Sequence, residues 1–197
     1  EQVRDLLAAM REMKPQACCR MVGERLEKGE IFAQAIWDAV HLMAGELMMR
    51  QPGIYGIHTV TSANALHYAY QSGIMPVTRL QLVLQAVGWM VQFREMMATA
   101  RGGLQKADIL KPVLDRDEKS GVLKIDHAVK EILAQVGRDT PAASADAHRL
   151  ALRAAAAKRS DWLDSFTGSA RQLIARKATD AHHYKYGMAI FENLDLV

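Results

Sequence analysis

Glu30–Arg50 reads EIFAQAIWDAVHLMAGELMMR. Phe32, Ile36, Val40, Met43 and Leu47 recur at helical spacing, and Trp37, His41, Ala44 and Met48 form a second stripe beside them. A helix that is apolar on nearly every side has to be buried. This stretch is therefore expected at the centre of a helical core. Its polar exceptions, Asp38, His41 and Glu46, then need partners, because an unpaired polar group in an apolar interior is costly. Asp38 and His41 are three apart and share a face, so they can meet.

Outward from this helix the pattern stays helical. Upstream, Glu1–Met13 carries Val3, Leu6, Leu7 and Met10 on one face, and Pro15 opens a second helix over Gln16–Lys28 that closes at Gly29. Downstream, Pro52 and Gly53 break the chain before Ile54–Tyr70. Gly73 and Pro76 break it again before Val77–Ala100, an apolar helix with Leu80, Leu84, Val87, Trp89, Val91 and Met97. Leu104–Lys124 reads as a surface connection, with a short helical turn at Ile109–Leu114. Helices resume over Asp126–Val136, Ala142–Lys158, Ser160–Lys177 and Ala178–Val197. No stretch alternates as a strand does. The expectation is an all-α, bundle-like domain over residues 1–197 with about eight or nine helices.

Composition narrows the function classes. Half of the 197 residues are hydrophobic and 24% are charged, an ordinary globular mixture. The net charge of +3 is small and evenly spread, which argues against a nucleic-acid partner. No apolar run reaches the length of a membrane span; Ile31–Met49 comes closest and is interrupted by Gln34, Asp38, His41 and Glu46. Cys18 and Cys19 are adjacent and read as free thiols, which suits a reducing compartment and sets the cytoplasm as the expected location.

Two stretches hold the candidate chemistry. GIYGIHTVTSANALHYAY, Gly53–Tyr70, puts His58 in a small-residue helix among Thr59, Thr61, Ser62 and Asn64. His67 is nine positions on, on the opposite side of that helix, and reads as structural. ATDAHHYKYGMAIFENLDLV, Ala178–Val197, puts His182 and Lys185 on one face of a helix expected to bury Tyr184, Met188, Ile190 and Phe191. His183 points elsewhere, and His127 and His148 lie among charges, as surface residues do. A protonated lysine has no lone pair. Lys185 can enter a metal shell only with a pKa lowered by burial or as a carbamate; otherwise it snorkels to solvent while His182 caps the helix. No HExxH, GxGxxG, P-loop or GxSxG motif is present.

The D-x-H-x-x-K run, Asp180 to Lys185, resembles the closing motif of the questin oxidase-like proteins, and Glu46–Leu66 is similar to that family's histidine-led, small-residue segment. The likeness runs from about Ile31 to the C-terminus. It implies an all-helical, non-haem iron oxygenase that cleaves the ring of an aromatic, quinone-type substrate with dioxygen, with NADPH as a further cofactor. His58 and His182 would then be iron ligands and Lys185 a carboxylated lysine, with no catalytic residues beyond the ligands. The family's proteins are about twice as long. The resemblance thus implies that the chain is the C-terminal part of a longer one, with the remaining ligands coming from an N-terminal segment or a second chain, or from His41. Two alternatives stand beside this reading. One is a non-catalytic helical binding or scaffold module with structural histidines. The other is a haem or other metal-binding bundle with His58 or His41 as an axial ligand.

Overall fold

The structure, a computed structural model, describes residues 1–100, 102–110 and 124–196. It is all-α. Among the described residues there are nine helices and no strand: α1 (Gln2–Glu12), α2 (Pro15–Glu27), α3 (Ala33–Arg50), α4 (Ile54–Ser72), α5 (Pro76–Thr99), α6 (Ile125–Gln135), α7 (Thr140–Ala156), α8 (Asp161–Lys177) and α9 (Ala181–Leu196). Ile109 and Leu110 form a turn, and the rest of the stretch expected as a short helical turn, to Leu114, lies outside the described residues. No helix is long and apolar enough to cross a membrane among the described residues.

Contacts divide the chain into two compact units, 1–111 with 188–197, and 112–187. In the first, α3 packs on α1, α4 and α5, and α5 also packs on α1, α2 and α4. The apolar stripes of α3 go inside as expected: Ile36, Trp37, Val40, Met43, Ala44 and Leu47 are all buried. Each such large side chain contributes about 1.5–3 kcal/mol. Phe32 is the exception. It precedes the first turn of α3 as its N-cap, with extended backbone, and its ring is exposed.

Two glycines set how α3 meets α4. Gly53 has φ +126, in the region open to glycine, and turns the chain back on itself. At Gly56 an added Cβ would meet Met48 Sδ at 2.7 Å and the Gln51 carbonyl oxygen at 2.8 Å, so only glycine lets the two helices come this close. Thr59 Oγ1 then donates to the Ala44 carbonyl at 2.9 Å, tying the helices across the interface.

The charged exception on α3 is resolved here too. Glu46 is 1% exposed. Its carboxylate accepts from Arg11 Nε at 3.1 Å and from Arg11 Nη2, and also from the backbone N–H of Ile109 at 3.2 Å. Arg11 in turn donates to Asp108 at 2.7 Å. The Arg11 guanidinium on α1 is thus the main counter-charge of Glu46, beside Arg50 Nη1 at 3.5 Å, and it ties the 103–110 connection to α3.

In the second unit α6 packs on both α7 and α8. Ile125, Val129, Ile132, Ala143 and Leu150 form its core, with Trp162 and Phe166 packed against it from α8. This core is thinner than that of the first unit, and α8 buries no residue completely.

Candidate functional site

The antiparallel α3–α4 pair brings together two histidines that lie far apart in sequence. His41 is 8% exposed and His67 3%. His41 Nε2 lies 2.9 Å from His67 Nδ1. The Trp37 ring stacks on the His67 imidazole, with centroids 4.4 Å apart and planes 7° from parallel, and Tyr70 closes the cluster at 5.3 Å from Trp37. Gln71 Nε2 approaches His67 Nε2 at 3.5 Å. With that amide donating, the His67 proton sits on Nδ1 and points at the lone pair of His41 Nε2. His41 then carries its own proton on Nδ1, where it has no partner; the Trp37 indole N–H is likewise buried and unpartnered.

Burial controls the electrostatics of this pair. It pushes His41 down to about 4, helped by the neighbouring His67. Burial also lowers His67, against the opposing pull of the Asp38 carboxylate. Both rings are neutral near pH 7. Asp38 does not meet His41 through a hydrogen bond; it accepts from Gln34 Nε2 at 2.8 Å, one turn earlier on α3.

The remaining predicted residues are placed as follows. His58 is half-buried on α4. It is nine residues, or about 13 Å of helix rise, from His67, so the His41 pairing is remote from it. His182 sits at the start of α9 in the second unit and is half-exposed, and Lys185 is exposed. Asp180 is the N-cap of α9: its Oδ1 accepts from the backbone N–H of His182 at 2.7 Å and lies 2.7 Å from His182 Nδ1. These two bonds, the backbone one first, hold the Asp180 carboxyl below its usual range. A carboxylate on Nδ1 fixes the tautomer that leaves the lone pair on Nε2.

Some residues expected to be buried are not. Tyr184 and Met188 are exposed on α9, where Ala189 and Phe191 take the buried positions. Trp89 and Leu80, expected on the apolar helix Val77–Ala100, are also exposed, while Met43 is buried as expected. The cysteines are free thiols: Cys18 is buried and pushed up to about 11 by burial, and the Cys19 thiol donates to the Leu84 carbonyl at 3.3 Å.

Chemically, the described residues assemble a pair of imidazoles and no group of three or more His, Cys, Asp or Glu side chains placed to hold a metal. A hydrogen bond between two imidazoles also uses the lone pair that a metal would need. Two such rings do not fit a mononuclear iron, which takes at least three protein donors in its common sites. The partnership of His67 with His41 and Trp37 was the feature sequence reading missed. The only signal for it is that His41 and His67 lie on either side of the Gln51–Gly53 break, within reach of each other to about one helical turn in an antiparallel pair. Comparison with family models, with curated proteins and with solved structures gives no match.

Proposed function

We propose that this chain is a helical binding or scaffold module whose buried histidines are structural. One observation carries the reading: the two histidines buried among the described residues spend their facing nitrogens on each other, under a stacked tryptophan. Neutral, mutually bonded and packed on Trp37, the rings fill the α3–α4 interface as other core residues do. The test is elemental analysis of the purified chain with thermal unfolding before and after chelation. Transition metal well below one per chain and an unfolding midpoint untouched by chelator are expected. Iron near one per chain, or a midpoint lowered by chelator, would overturn the module reading.

A second reading, an iron-dependent oxygenase of an aromatic substrate, is favoured by the Asp180–His182 contact, since a carboxylate on Nδ1 is the usual partner of a metal-bound histidine. His182 and a carboxylated Lys185 on α9 would be its donors from the second unit. Anaerobic Fe(II) titration separates the readings: tight uptake that is lost in His182→Ala supports the oxygenase, and the module predicts no uptake.

A further inference from the structure

The end of the α4–α5 hairpin stands out from the rest of the first unit. Every residue from Gln71 to Gln81 is exposed except Gly73, on all sides of the first turns of α5. Its apolar side chains are among the most open in the protein: Ile74 92%, Tyr68 70%, Val77 64%, Met75 63% and Leu80 45%. The hairpin is also nearly without charge. From Gln51 to Phe93, Arg79 is the only Asp, Glu, Lys or Arg. That one charge is used internally. Arg79 Nε donates to the Gly73 carbonyl at 2.7 Å, and its guanidinium lies over the Tyr70 ring at 5.4 Å, closing the C-terminal end of α4.

We propose that this tip is a self-association surface, and that its occupant is the same tip of a second copy of the chain. The charge pattern selects this occupant. A two-fold contact sets a patch against itself, so whatever net charge it carries is repeated on the facing copy. This patch carries only the Arg79 cation, held over its own Tyr70 ring, so self-contact meets little repulsion and an acidic or basic partner finds little to recognise. The area is also of the right size. The five side chains expose on the order of 600 Å², most of the roughly 800 Å² per partner that standard interfaces bury. Ile74, Met75 and Val77 would form the centre of the contact, with Tyr68 and Leu80 at its edge. Self-association through this tip is independent of whether the histidines are structural or bind metal.

The test is sedimentation equilibrium of the full chain from about 1 to 100 µM, a range that brackets micromolar affinity. The expected result is a mass that rises from one chain to two. I74D/V77D is expected to hold the mass at one chain throughout, with unchanged helical circular dichroism, because both side chains face solvent in the single chain. M75K/L80K should do the same and guards against a folding defect in the first variant. A wild-type mass of one chain at the top of the range would overturn the proposal. So would a dimer that survives in both folded variants.

Discussion

His41 and His182 each have a ring nitrogen within 3 Å of a partner, yet the two sites have little else in common. His41 lies in the interior of the first unit, facing another imidazole under a tryptophan. His182 lies at a helix start in the second unit, against an exposed carboxylate. In the first place burial makes charge expensive, so the rings stay neutral and become packing material. In the second, the histidine is half-exposed and its ring meets the carboxylate that caps the helix. A histidine's residue type therefore says little about its role; the dielectric of its surroundings decides. Helix ends differ in the same way. Gly29 closes α2 with φ +68 at no steric cost, whereas the equivalent closure of α7 places Lys158 at φ +54.

Substitutions can push this contrast to breaking point. The largest effect is expected for Trp37→Ala, which removes the lid over the imidazole pair and should destabilise the first unit by about 3–5 kcal/mol in denaturant unfolding. Arg11→Met strips the buried Glu46 of its main counter-charge and should cost about 3 kcal/mol, less than a fully enclosed pair because Arg50 Nη1 remains 3.5 Å from the carboxylate. Acidification tests the neutral pair directly. His41 has a folded value near 4 against about 6.5 when unfolded, so the unfolded chain binds the extra proton in that window. Stability contributed by the neutral ring is whole above pH 6.5 and falls as pH drops toward 4, by up to about 3 kcal/mol. His41→Leu should flatten that slope. By contrast Asp180→Ala should lower stability far less, because an exposed N-cap frees only local backbone N–H groups when it is lost. Lys158→Gly, the smallest change, should stabilise α7 by roughly 0.5 kcal/mol by relieving the left-handed backbone.

Most of the fold was legible because helical periodicity is local. The stripes of α3 specify both that it is a helix and that it is buried, and the Pro and Gly breaks fall where the chain turns. Burial of individual side chains was less legible. Leu80, Trp89, Tyr184 and Met188 fit helical apolar patterns, but α5 outruns its neighbours at its first turns and α9 buries a different face. The sites were harder still. His41 and His67 meet only because Gly53 and Gly56 fix the approach of α4 to α3, a register that no single helix encodes. The partner of Glu46 is Arg11, thirty-five residues away on α1, and nothing in the spacing around Glu46 indicates it. The cap of α9 is Asp180 rather than His182, a local exchange, since an N-cap acts within two residues of itself.

The central claim is that the α3–α4 imidazoles are neutral, mutually bonded and structural. Nitrogen-15 NMR of the histidine side chains, followed from pH 8 to pH 4 in chelator-treated protein, tests it most directly. His41 is expected to stay neutral until close to pH 4 and His67 to titrate below the ordinary histidine value, with one nitrogen of the facing pair carrying a proton that the other accepts. Titration of both rings near 6.5, as for histidines in water, would contradict it.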